Sequence, residues 1–138
     1  MLAILDYDSG NQTSVSRALT SLGVANTISA DASVILNAAG VIFPGVGAAG
    51  QAMGHLASRG LDRVLRQVVE QGTPMPGICL GCQMLLEPSE ANEPRPLGLR
   101  PGVTQTVHSG LTDESGQKIA LPRLGWTRAR HSASRRPS

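Results

Sequence analysis

The sequence predicts an α/β layered fold with parallel strands, and three observations carry that expectation. Short buried-strand patterns alternate with stretches of helical spacing, which implies parallel strands joined by right-handed crossovers. The main apolar strand runs end in turns rich in glycine or small polar residues. A length of 138 residues, 41% hydrophobic and 16% charged, gives room for one core and argues against disorder.

Each element follows from local pattern. Leu2 to Asp6 reads as a short buried strand, and Asp8-Ser9-Gly10-Asn11 as a turn. Val15, Ala18, Leu19 and Leu22 then recur at helical spacing until Gly23 ends the helix. Ala25 to Ile28 is a weaker strand, and Asp31 is placed to cap a short helix through Leu36. Val41-Ile42-Phe43 forms a buried strand that Pro44-Gly45 should close. Helical spacing returns at Ala52, Met53 and Leu56, and again at Leu61, Val64, Leu65 and Val68, with Gly72 as the stop. Met75 to Ile78 is a further strand running into Cys79. From Glu87 the texture changes, with Pro88, Pro94, Pro96 and Pro101 interrupting the chain. Val103 to Val107 alternates like an exposed antiparallel strand, with Lys118 to Leu121 as its expected partner.

Composition excludes several classes of function. No apolar run reaches the roughly 18 residues a membrane span needs. Met1 leads into Leu2-Ala3-Ile4-Leu5 and then Asp6 without a basic segment or cleavage site, so the expected compartment is the cytoplasm. Two cysteines three positions apart cannot staple a fold, which fits a reducing compartment. The net charge of +2 is uneven: residues 1–122 hold seven basic and ten acidic side chains, a net of −3, while Arg123, Arg128, Arg130, Arg135 and Arg136 crowd the end. No aromatic residues interleave with those arginines for base stacking, so a disordered basic tail over 128–138 is expected and a nucleic-acid partner is not.

In open α/β sheets ligands bind beyond the carboxyl ends of the strands. Three turns converge there: Asp8 to Asn11, Pro44 to Gly47, and Cys79 to Gly81. Gly77-Ile78-Cys79-Leu80-Gly81, with a strand before it and Gln83-Met84-Leu85-Leu86 after it, has the pattern of a nucleophile elbow with cysteine in place of serine. A sharp strand-to-helix turn demands small flanking residues. The helix beyond it aims its first amides at the turn and favours a thiolate at Cys79, and the Leu80 N–H is positioned to stabilise an oxyanion. A buried structural cysteine in a glycine-flanked strand end would use the same residues. Cys79-Leu80-Gly81-Cys82 also fits a thioredoxin-like C-x-x-C, although such motifs usually follow the first strand of a small domain. Zinc lacks a second ligand pair, since His55, His108 and His131 are scattered. Gly45-Val46-Gly47-Ala48-Ala49-Gly50 matches the dinucleotide fingerprint in form only, because no acidic residue ends a following strand. Pro44 to Gly47 suits a turn that presents amide N–H groups to an anion, or a plain strand-to-helix turn.

Taken together, Asp6-Tyr7 with Gly10-Asn11, Pro44-Gly45-Val46-Gly47, the elbow with Gln83, Gly98-Leu99 with Pro101-Gly102, and Pro122-Arg123-Leu124-Gly125-Trp126 resemble the glutaminase subunits of imidazole glycerol phosphate synthase. The elbow alone resembles class I glutamine amidotransferases in general. The resemblance covers residues 1–127 and implies a class I amidotransferase domain of flavodoxin-like layers, incomplete at its C-terminal side. It implies that Cys79 attacks the side-chain amide of glutamine, releasing ammonia and leaving a thioester that water hydrolyses. Gly45, Val46 and Leu80 would form the oxyanion hole, and Gly47 and Gln83 would hold glutamine. Asn11, Pro122 and Trp126 would lie at or near the interface with a (β/α)₈-barrel cyclase, which receives the ammonia through a tunnel. No cofactor is implied.

The chain also departs from that pattern. The family activates its cysteine with a histidine, oriented by a glutamate two residues later, yet none of His55, His108 and His131 has glutamate at that position. Losing a general base costs about 10²–10⁴-fold, so little or no glutaminase activity is expected. A partner-binding subunit without turnover, or a C-x-x-C redox protein, are the alternatives. Asp8 and Ser9 stand where the family has a glycine and a small apolar residue. Cys82 replaces a methionine, Arg123 a histidine and Thr127 an asparagine. The residues after Thr127 are expected to be out-of-frame or degenerate sequence.

Overall fold

A computed structural model describes residues 1–8, 11–87, 95–103, 112 and 115–118. The chain divides into two compact units, residues 1–105 and 106–138. In the second, Thr112 and Lys118 form an antiparallel bridge. The expected pairing of Val103–Val107 with Lys118–Leu121 lies mostly outside the described residues, as do Pro122, Arg123 and Trp126.

The first unit is built on four parallel strands in the order β2-β1-β3-β4. The elements run β1 (Leu2–Leu5), α1 (Gln12–Ser21), β2 (Asn26–Ser29), α2 (Ala32–Leu36), β3 (Gly40–Gly45), α3 (Ala49–Ser58), α4 (Leu61–Glu70), β4 (Gly77–Cys79) and α5 (Leu80–Leu85). The chain steps one way from β1 to β2 and the opposite way from β2 to β3 and β3 to β4. Right-handed crossovers therefore put α1 on one face and α2, α3 and α4 on the other. Contacts agree: α1 lies against β1 and β2, while α4 packs against α2 and α3. The core fills the crowded face, where Leu5, Val41 and Phe43 meet Leu56, Leu61, Leu65, Val68 and Met84.

Local chemistry sets the boundaries. Asp31 caps α2 as expected, accepting hydrogen bonds from the Ser33 N–H (2.7 Å), the Ser33 hydroxyl (2.6 Å) and the Val34 N–H (3.4 Å). Those bonds, led by the Ser33 hydroxyl, hold the Asp31 carboxyl below its ordinary pKa. Gly23, Gly60 and Gly72 take left-handed φ angles where their helices end or begin.

Strand boundaries differ from expectation in each case. Strand β1 stops at Leu5 rather than Asp6, and β2 runs Asn26–Ser29 rather than Ala25–Ile28. The larger differences are in β3 and β4. Pro44 and Gly45 belong to β3 rather than closing it. The Val41 and Phe43 N–H groups donate to the carbonyls of Pro74 and Pro76, so the Pro44 nitrogen faces the β1 side. Pairing with β1 stops at Ile4 and Ile42, and no ladder bond is lost there. Strand β4 begins at Gly77 rather than Met75, although the Pro74 and Pro76 carbonyls already accept bonds from β3. Among the described residues no helix is long and apolar enough to cross a membrane.

Candidate active site

At the carboxyl edge of β4 the backbone turns straight into α5 with no intervening loop: Cys79 ends the strand and Leu80 starts the helix. The turn forces Cys79 to φ 55° and ψ −120°. Among the described residues only Asp8 and Cys79 hold positive φ without being glycine. Such a conformation costs about 1–3 kcal/mol and persists only where the surroundings over-determine it.

The surroundings here are glycines in backbone contact. A Cβ on Gly77 would lie 2.5 Å from the Cys82 Cα, and one on Gly45 would lie 2.5 Å from the Gly81 nitrogen. On Gly81 it would overlap the Phe43 carbonyl. The first turn of α5 thus sits directly on the ends of β3 and β4, closer than any side chain permits. The small flanking residues of the elbow motif have this steric reason.

Cys79 is exposed, and in the strand ladder it pairs with Gly45. Leu80 is buried beneath the turn with its backbone against Gly45. Past Gly45 the chain leaves the sheet: Val46 and Gly47 are exposed, and Gly47 takes φ 86°. The sulfur of Cys79, the amide that follows it and the Gly45–Gly47 turn therefore share one edge of the sheet. Gln83 lies one turn along α5 and is exposed. Asn11 occupies the N-cap position of α1 on the loop leaving β1; its carbonyl accepts from the Val15 N–H (3.2 Å), and its side chain makes no capping bond. Chemically, the edge offers an accessible thiol beside backbone donors, the arrangement that acyl transfer requires.

Two supporting features had no place in the expected site. Tyr7 is fully buried, donates a 2.6 Å hydrogen bond to the Pro44 carbonyl and meets the Phe43 ring edge-to-face at 5.5 Å. It ties the end of β1 to the turn opposite Cys79. As the only tyrosine, beside the only phenylalanine, it was visible in composition but had no periodicity to mark its role. Arg59, at the C-cap of α3, pairs with Asp8 and tethers the loop after β1; their separation of 51 residues hides this from local pattern.

Comparison with known proteins agrees with this geometry. The model of the glutamine amidotransferase class-I family matches residues 3–131. The imidazole glycerol phosphate synthase subunit HisH of Nitratidesulfovibrio vulgaris Hildenborough is 54% identical over 137 residues, covering 99% of this chain and 63% of that protein. The protein of the same name from Listeria monocytogenes serotype 4b is 46% identical over 127 residues, 91% of this chain and 58% of its own length. The chain thus spans about three fifths of the length of these relatives. A solved structure described as a glutamine amidotransferase superposes with a TM-score of 0.60 at 23% identity, over 71% of this chain and 52% of that one, which speaks to the fold. With a family match across nearly its whole length and a cysteine elbow on a parallel sheet, the chain belongs to the class I glutamine amidotransferases.

Proposed function

We propose that the chain supplies the nucleophile and oxyanion side of glutamine hydrolysis, delivering ammonia to a (β/α)₈-barrel cyclase that forms imidazole glycerol phosphate and AICAR in histidine biosynthesis. The observation that carries this reading is the strained, exposed Cys79 paired with Gly45 at the sheet edge. The names of the relatives point to the same pathway enzyme. In this reading Cys79 attacks the glutamine amide carbon, and the N–H groups of Leu80 and of the Gly45–Val46 turn take up the negative charge on oxygen. Gly47 and Gln83 hold the substrate. In the same reading Asn11 belongs to the surface that meets the cyclase in a cytoplasmic heterodimer; Pro122 and Trp126, assigned to that interface by the resemblance, lie outside the described residues.

Within these 138 residues the reaction lacks its base, because no histidine is followed two positions later by glutamate. The chain by itself is therefore expected to form the thioester slowly and to turn over glutamine about 10²–10⁴-fold below an intact relative. The test combines ammonia release from glutamine, with and without a barrel cyclase, and alkylation of Cys79 by a glutamine-like chloroketone. Alkylation at Cys79 with little ammonia fits the proposal, and turnover at the rate of an intact relative refutes the impairment. Failure of the chloroketone to modify Cys79 removes the nucleophile assignment. Co-purification with the cyclase but no alkylation identifies a partner-binding subunit that has lost its chemistry.

A further inference from the structure

We infer that Cys79 and Cys82 form a reversible oxidation site, at which a hydroperoxide converts the two thiols into an intramolecular disulfide and withdraws Cys79 from its displayed conformation. Both cysteines are exposed and unbridged, and they are the only two in the chain. The separation of their Cα atoms depends only on the torsions of Leu80 and Gly81, which lie within α5. Helical geometry sets that separation at about 5 Å, inside the span of roughly 4.4–6.8 Å that a disulfide bridges.

The two residues differ in how they are held. Cys82 is held from below, because its Cα and nitrogen rest against Gly77 with no room for a further carbon. Cys79 is held in a disfavoured conformation by the backbone contacts of Gly45, Gly77 and Gly81 around the turn, so leaving it relieves strain but must loosen those contacts. At ψ −120° its Cβ eclipses the following amide nitrogen and points beneath the helix, whereas the Cβ of Cys82 stands out from the helix side. The bridge closes when Cys79 rotates out of its positive φ toward the ordinary N-cap range. Oxidation and display of the nucleophile are therefore mutually exclusive.

The chemistry balances. The Cys79 thiolate attacks one oxygen of hydrogen peroxide, the O–O bond breaks, and a sulfenic acid and hydroxide result. The Cys82 thiolate then attacks the Cys79 sulfur and expels the second hydroxide. Each hydroxide takes up one of the two thiol protons. Two thiols are oxidised by two electrons, and one peroxide becomes two waters. Without Cys82 the sulfenic acid would go on to sulfinic acid, which thiols do not reverse. This site rests on the exposure of Cys79 and not on glutamine hydrolysis, so the two proposals fail separately.

The experiment treats the reduced full chain with hydrogen peroxide and follows intact mass, alkylatable thiols and chloroketone labelling. The expected result is a mass lower by two hydrogens, alkylatable thiols falling from two to none, and loss of Cys79 labelling, all restored by dithiothreitol. In Cys82→Ser, the same treatment should carry Cys79 to a species heavier by two oxygens that dithiothreitol does not recover. Accumulation of that species in the unaltered chain while Cys82 stays alkylatable overturns the inference. Disulfide-linked dimers in place of the internal bridge overturn it as well. The measurement on the unaltered chain decides the matter even if the variant does not fold.

Discussion

Helices α1 and α4 are both ten residues long, yet they do opposite work. Helix α4 buries Leu61, Leu65 and Val68 against the core, whereas α1 buries no residue at all. Val15 and Leu19 of α1 are only half-covered, and Leu22 beyond its end is exposed. On the same side Ile28 and Ile78 are 39% and 46% exposed. One face of the sheet is closely packed and positions the elbow; the other is thinly covered. The amphipathic pattern is much the stronger in α4, but it records which residues prefer burial and not how many layers the chain supplies.

That contrast can be measured. The largest effect is expected at Gly81, where alanine drives a carbon into the Phe43 carbonyl. Overpacking usually costs about 1–3 kcal/mol, and a backbone obstacle puts Gly81→Ala at about 3 kcal/mol or more in the denaturant midpoint. Leu65→Ala in α4 should cost about 2–5 kcal/mol. Leu19→Ala in α1 should cost below about 1 kcal/mol, since little area is lost and alanine favours the helix. Similar losses for these two variants would break the comparison. Tyr7→Phe leaves the Pro44 carbonyl without its buried donor and should cost about 1–3 kcal/mol; chloroketone labelling of Cys79 should fall with it if the bond aligns the Gly45–Gly47 turn.

The smallest effect belongs to Asp31. Its folded pKa lies below the unfolded value, so its contribution is fully present above the unfolded value of about 3.9. It fades as pH falls through the lowered folded value. Asp31→Ala should therefore weaken the fold slightly at neutral pH, and the difference from the unaltered chain should vanish in acid below that range. A pH-independent difference would mean that the cap does not act through its charge.

Much of this was legible in the sequence because the signals are local. Asp31 read correctly as a cap since its partners lie two and three residues away. Cys79 read as an elbow since Gly77 and Gly81 stand two positions to either side of it. Pro44 misled, because proline normally ends a strand and no local pattern tells which neighbour its missing N–H would have faced. The Tyr7 bond to Pro44 and the Asp8–Arg59 pair were invisible for the same reason: each joins segments 37 or 51 residues apart. Strand order decides those contacts, and the sequence encodes it only through the whole fold.

The crowding of Gly45, Gly77 and Gly81 also bears on how such a chain can drift. Every substitution open to a glycine codon adds at least one carbon, so all three positions are dead ends for neutral change, and no single compensating replacement makes space in a neighbouring main chain. Helix α1, with no fully buried residue, is far less constrained. Mutational load should therefore register first as loss of the strained bend at Cys79, while the outer helix goes on accumulating silent variety.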